Sequence, residues 1–317
     1  MDIDAIPARG IDRETLRWLS RRSDVRGLAQ LAAHFLLLGT TGFIIWASRG
    51  TLWMAPAVVL HGAVLTFLFC PLHEAIHRTA FATRGMNDAV AWVCGALLFL
   101  PPDYFRLFHF AHHRHTQDVA LDPELMHARP GSLGAYLWHI SGLPYWFDRW
   151  SVTVRMALTG HVTEPFVPIG KQASLVREAR ALLLLYLLAA SVSLYLRRAD
   201  ILIYWLLPVF CGQPFLRSFL LAEHSACPFN DDMLANTRTT YTSRTLRFLT
   251  WQMSFHAEHH AFPSIPFHAL AAVNVLTRQR LASTAPGYVH LHRELLREFA
   301  TARRASMAHM TAGNRND

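Results

Sequence analysis

Lysine is almost missing from this 317-residue chain. Lys171 is the only one, so nearly all of the 30 basic residues are arginines. Zinc-finger spacing, an RNP-like motif and aromatic–basic interleaving are missing too, which argues against base recognition despite a formal charge of +8. No nucleic-acid partner is expected. The four cysteines, Cys70, Cys94, Cys211 and Cys227, form no short pair. That excludes an iron–sulfur framework and points to buried, reduced thiols. There is no Gly-rich flavin or nicotinamide fingerprint, no evident haem-binding domain, no internal repeat and no low-complexity tract. No small-residue cleavage site follows the first apolar run, so the N-terminus does not read as a cleaved signal peptide.

What the chain has is apolar length. Apolar residues make up 52% of it and gather in long runs, the pattern of a membrane protein rather than of two soluble domains. Four runs suit bilayer-crossing helices of roughly 20 residues: Leu28–Ala47, Leu52–Leu72, Ala181–Leu196 and Ile201–Leu221. The connections Ser48–Thr51 and Arg197–Asp200 are short, so the runs pair into two hairpins. A shorter run, Ala89–Leu100, ends at Pro101-Pro102 and is expected to be re-entrant or interfacial. The expected fold is an all-α integral membrane protein with about four transmembrane helices and a cytosolic helical cap.

Arginines near the membrane ends place the N-terminal segment, the middle segment 73–180 and the tail after 222 on one side, the cytoplasm; Arg197 and Arg198 are outnumbered. Such arginines suit anionic lipid headgroups. The expected organisation is a cytosolic segment 1–27, a membrane catalytic region 28–267 and a helical tail 268–317. Asp12 is placed to cap a short surface helix. Tyr136, Trp138, Tyr145, Trp146, Phe147 and Trp150 have the composition of an interfacial aromatic belt. Leu291–Ala308 reads as an amphipathic helix.

The chemistry lies in histidines. In Ser254–Pro263, His256, His259 and His260 stand at i, i+3 and i+4, which on a helix projects three imidazoles from one face. His109, His112 and His113 repeat that spacing in HFAHH, and His73 and His77 form a looser pair in HEAIH. His224 sits at the end of the last apolar run beside Glu223. All nine fall near one plane on the same expected side. Neutral imidazole binds iron or zinc, and one such metal takes three or four protein ligands, so nine imply two metals. The lone His34, His61, His139 and His161 are assigned no role, and His115 is out of phase with its neighbours.

Two rival readings use fewer of these residues. HEAIH matches the HExxH of zinc hydrolases, with Glu74 as general base, but leaves both HxxHH triplets unused. A metal or proton transporter would favour ionisable groups at mid-membrane, whereas the apolar runs here are nearly free of charge.

HEAIH, HFAHH and HAEHH, in this order and separated by membrane hairpins, resemble the three histidine boxes of the membrane-bound fatty acid desaturases, a pattern shared with alkane hydroxylases and carotenoid ketolases. The resemblance covers about Leu52 to Phe267. It implies a non-haem di-iron centre held by His73, His77, His109, His112, His113, His256, His259 and His260, with His224 as an additional ligand. Thr116–Glu124 and Asn236–Thr240 also look family-like. Asp118, Asp122, Glu223 and Asn236 are read as groups that orient imidazoles through the other ring nitrogen. The family departs from this chain just before the third box, where relatives often have Asn and Tyr and this chain has Gln252 and Phe255.

The implied activity is dioxygen-dependent attack on an unactivated C–H bond. Loss of a second hydrogen gives an alkene, and oxygen transfer gives an alcohol. The same ligands serve both. A fatty acyl chain is the default substrate, with hydroxylation of an alkyl or small amine-derived compound as the alternative. Electrons would come from a separate carrier, such as a ferredoxin or rubredoxin with its reductase, on the basic face. The expected location is a bacterial inner membrane with the site facing the cytoplasm.

Overall fold

The computed structural model describes residues 11–313, with side chains described through residue 302. Part of the N-terminal segment and the end of the tail lie outside the described residues. Asp12 accepts the Thr15 amide at 2.9 Å and caps a short helix, α1 (Arg13–Leu19). Ser23 caps α2 (Asp24–Ala47), whose buried residues Gly27, His34, Leu38, Thr41 and Ile45 form a helical stripe. Its other faces carry exposed Leu36, Phe43 and Trp46.

Two short helices, α3 (Met54–Thr66) and α4 (Phe69–His77), follow almost without a break. Arg78 then adopts a left-handed conformation (φ 60°) and ends the run just after His77. Next come α5 (Arg84–Leu98) and α6 (Pro102–His115). Pro101-Pro102 suits the start of α6, because a helix's first amide lacks an intrahelical acceptor. After these come α7 (Leu133–Ile140), α8 (Leu143–Thr159), α9 (Ile169–Tyr195) and α10 (Leu207–His224), the last preceded by a π-helical turn over Leu202–Leu206.

Among the described residues, three helical stretches are long and apolar enough to cross a membrane: Asp24–Ala47, Met54–His77 and Leu202–His224. The expected span Ala181–Leu196 lies in the C-terminal part of α9, whose first half carries Lys171, Arg177, Glu178 and Arg180, and Asp200 just beyond it pairs with Arg49 beyond α2 at 2.9 Å. Exposed Leu184, Leu187 and Leu188 line the apolar part of α9. The aromatic segment divides. Trp138 and Phe147 are exposed, whereas Trp146 is buried and stacks on Phe210 at 4.5 Å.

α3 and α10 cross at glycines. A Cβ added at Gly212 would lie 2.0 Å from the Gly62 carbonyl oxygen, and one at Gly62 would lie 2.2 Å from the Pro208 oxygen. Thr66 Oγ1 sits at the same crossing, 2.9 Å from the Gly62 oxygen and 3.2 Å from the Gly212 oxygen. Small residues permit this approach, as in membrane helix pairs generally.

The C-terminal third folds back over the helix ends as α11 (Met233–Asn236), α12 (Arg244–Leu249), α13 (His256–Ala261), α14 (Leu270–Thr277) and α15 (Tyr288–Gly313). A two-residue parallel ladder pairs β1 (Thr239–Thr240) with β2 (Thr284–Ala285). Thr239 also bridges Phe255, so the ladder fixes the start of α13.

A candidate metal centre at the helix ends

The last two turns of α4 supply His73 and His77. The last two turns of α6 supply His109, His112 and His113, α10 ends on His224, and α13 opens with His256 and continues to His259 and His260. All nine imidazoles converge, and they do so as two sets. His73, His77, His109, His113 and His259 form one, with ligand atoms within 4.8 Å of one another; His112, His224 and His260 form the other. His256 adjoins the second set, its Nε2 3.1 Å from that of His260.

The i, i+3, i+4 spacing explains the division. On α6, His109 and His113 share one side and face the first set, while His112 turns to the second. On α13, His259 faces the first set, and His256 and His260 face the second. Each triplet therefore feeds both sets. His113 and His260 stack at 4.0 Å where the sets meet.

The donor atoms point inward. Nε2 of His113 lies 2.9 Å from Nε2 of His109 and 3.1 Å from that of His259, and His112 Nε2 lies 3.2 Å from His224 Nε2. Both ring nitrogens of His73, Nε2 of His77 and Nδ1 of His113 and His259 are buried with no hydrogen-bond partner. Buried imidazoles with lone pairs aimed at one another are costly unless a cation accepts them. Neutral nitrogen donors in two groups of four or five suit a pair of divalent transition metals. The residues present fit a two-metal centre.

Outer nitrogens are anchored on the second set. Asp122 Oδ1 is 2.9 Å from His112 Nδ1, Thr116 Oγ1 is 3.2 Å from His260 Nδ1, and the Asn236 carbonyl oxygen is 3.4 Å from His224 Nδ1. Glu223 Oε1 stands 3.4 Å from His256 Nδ1. The contacts to His112, His260 and His224 fix the tautomer that leaves Nε2 free for metal, whereas Glu223 Oε1 and His256 Nδ1 face each other without a hydrogen bond. Burial pushes Asp122 up, but His112 and the amides of Gln117 and Glu124 outweigh it and hold the carboxyl below its ordinary range.

Of the four expected orienting groups, Asp122 and Glu223 thus face imidazoles through their carboxylates. Asn236 meets His224 through its backbone oxygen, while its side-chain amide donates to the Asn230 carbonyl at 2.7 Å. Asp118 is exposed and caps a turn through the amides of Ala120 and Leu121. Thr116 was missed as an individual contact, although the stretch it opens stood out beside the second box.

Both glutamates inside the boxes turn away from the histidines. Glu74 Oε2 accepts from Thr79 Oγ1 (2.8 Å) and the Phe267 amide (3.2 Å). Glu258 Oε1 accepts from Asn274 Nδ2 at 2.5 Å, and its other oxygen accepts from Thr239. They clamp the boxes to the C-terminal fold. A hydrolytic base at Glu74 would have to face the metal, and this carboxylate does not.

Burial, then repulsion among neighbouring histidines, holds His109, His113, His256, His259 and His260 well below the ordinary value of 6.5. Below pH 6.5 the unfolded chain binds protons that the folded chain refuses. The stability tied to these groups is therefore present above that pH and lost as pH falls. Metal-free protein is expected to melt at steadily lower temperature from pH 7 to pH 5, measured by scanning fluorimetry. A flat profile would contradict the burial of these imidazoles in solution.

A cavity of about 530 Å³ opens onto His73, His109, His224 and His256. Its inner wall is apolar, with Phe69, Leu100, Phe105 and Met253, and its outer wall carries Trp138, Tyr145 and several charged groups. That size holds a ligand of about twenty to thirty heavy atoms, a typical small-molecule site.

Residues 50–292 match the family model described as fatty acid desaturase. The chain belongs to the fatty acid desaturase family. This family member is 25% identical to sphingolipid delta(4)-desaturase DES1 of Drosophila melanogaster, over 72% of the chain and 67% of that protein. It is 26% identical to sphingolipid delta(4)-desaturase/C4-monooxygenase DES2 of Rattus norvegicus, over 73% of the chain and 68% of that protein. Beta-carotene 4-ketolase 3 of Haematococcus lacustris is 30% identical, over 33% of the chain and 37% of that protein. As a member of this family the protein is an oxidoreductase, a multi-pass membrane protein with a histidine-rich metal site and a hydrophobic substrate.

Proposed function

We propose that the protein is a dioxygen-dependent di-iron fatty acid desaturase, acting on an acyl lipid or acyl thioester. The observation that carries this reading is the meeting of nine imidazoles, in two sets, at the apolar end of a cavity wide enough for an alkyl segment. The net reaction converts –CH2–CH2– and O2, with two electrons and two protons, to –CH=CH– and two waters. Two irons held by His73, His77, His109, His113 and His259, and by His112, His224, His256 and His260, supply the redox chemistry when bound.

The chain's own residues position and shield. Asp122, Glu223, Thr116 and the Asn236 carbonyl orient imidazoles. Phe69, which stacks on His73 at 6.0 Å, and Phe105, 5.4 Å from His109, make the wall beside the ligands apolar. An alkyl chain lying there displaces water from the reacting carbon. Electrons come from an external carrier, a ferredoxin or rubredoxin with its reductase, docking on the arginine-rich face. Arginine placement supports a site facing the cytoplasm, and the membrane we propose is a bacterial inner membrane. Hydroxylation is the second reading, favoured by the monooxygenase activity in the name of the rat relative.

The test is metal content followed by product analysis. Purified wild type is expected to hold about two irons per chain, and the His256→Ala, His259→Ala double variant to lose most of them. With dioxygen and a reduced carrier, the wild type should convert a saturated acyl substrate to an alkene. An alcohol as sole product would select hydroxylation. A single zinc retained in the double variant would overturn the di-iron reading.

A further inference from the structure

Arg217 is a charge on the cavity wall with no ion pair within 4 Å among the described residues, although Glu124 and Glu223 on the same wall attract it from farther away. It sits on α10, seven residues before His224, so about 10 Å along the helix from that ligand. Its Cζ lies over the Tyr145 ring at 4.1 Å, and its Nε donates to Gln213 Oε1 at 3.1 Å. Gln213 is itself locked against Gly142, where an added Cβ would approach to 2.6 Å. Stacking and this bond fix the guanidinium plane, Nε is spent on Gln213, and Arg217 lines the cavity.

The other charged groups on that wall have nearer neighbours than Arg217, although Glu223 Oε1 makes no hydrogen bond. Arg149 is paired with Asp148, and Glu164 with Arg155. Arg129 donates to the His224 carbonyl at 2.8 Å. Glu223 and Glu124 stand 3.4 Å and 3.8 Å from His256 Nδ1 and His112 Nδ1. Among the described residues no carboxylate oxygen lies within 4 Å of the Arg217 guanidinium. A half-buried guanidinium that spends one of its five donors on an acceptor has a fork free to match a carboxylate or phosphate.

We propose that Arg217 binds an anionic group, carboxylate or phosphate, on an otherwise apolar substrate, and so sets which molecules enter the cavity. The anion sits against Arg217 beside Tyr145, and the alkyl portion runs past Phe105 and Phe69 toward His73 and His256. This inference rests on the proposed function only in taking the cavity as the substrate site; it requires no metal.

The test is ligand binding to the full-length protein in lipid nanodiscs, by calorimetry, with empty nanodiscs as the partition control. The probes are octanoate, octyl phosphate, methyl octanoate and octylamine. Wild type is expected to bind octanoate or octyl phosphate at least about tenfold more tightly than methyl octanoate. The stronger of the two anions identifies the head. Arg217→Gln should erase that preference, and Arg217→Lys should keep part of it. Methyl octanoate or octylamine binding wild type as tightly as the anions would overturn the proposal, and this comparison needs no variant to fold. Survival of the preference in Arg217→Gln would overturn it as well. A single zinc retained in the His256→Ala, His259→Ala variant, with the wild-type anion preference intact, would sink the di-iron reading and leave this one standing.

Discussion

Gly212→Ala is expected to cost about 3 kcal/mol or more and to strip the metal centre, although position 212 touches no imidazole. The new methyl would lie 2.0 Å from the Gly62 carbonyl oxygen and 2.7 Å from Thr66 Cγ2. A flexible side chain could step aside, but the obstacle is helix backbone. α3 and α10 must therefore separate, breaking the contact of the Thr66 hydroxyl with the Gly212 carbonyl. α3 runs into α4, which carries His73 and His77, and α10 ends on His224, so separation at the crossing moves ligands of both sets. Gly39→Ala is the control, because nothing lies within 4 Å of a Cβ there. Thermal melting together with metal content checks both. A Gly212→Ala protein as stable and as metal-rich as Gly39→Ala would show that the crossing is looser than described.

The second large effect is expected at His113. Its ring lies 4.9 Å from His77, 4.4 Å from His109, 4.8 Å from His259 and 4.0 Å from His260, so it belongs to one set and supports the other. His113→Ala should reduce turnover by more than about 100-fold and lower the content of both metals. Asp122→Asn, which changes only the partner of His112 Nδ1, should weaken metal binding by about 10- to 100-fold. Elemental analysis and turnover on the same preparations distinguish the two. Equal effects would mean that His113 merely orients a neighbour.

Much of this was legible in the sequence because two periodicities are strong. Apolar runs near twenty residues marked α2, α3 with α4, and α10, and histidines at i, i+3 and i+4 marked α6 and α13. The N-cap at Asp12 was legible for the same local reason. The charged first half of α9 hid the length of that helix, since Lys171 to Arg180 interrupts any hydropathy window. The partition of the nine histidines depends on how four helices, α4, α6, α10 and α13, face one another, which no local pattern encodes. Asn236 acts through a main-chain oxygen, a group every residue carries, so its side chain could not reveal it. Arg217 did leave a mark: a lone arginine inside an apolar run is costly and invites a functional reading.

Because each triplet serves two sets at once, the boxes are read in frame. A helix turns about 100° per residue. One residue inserted between His109 and His112, or between His256 and His259, would carry the later imidazoles a quarter-turn or more out of place and starve both sets together. One residue lost would do the same. The interior of each box therefore tolerates exchange of side chains but no change of length, while the connections between boxes, which only deliver helix ends, are free to lengthen.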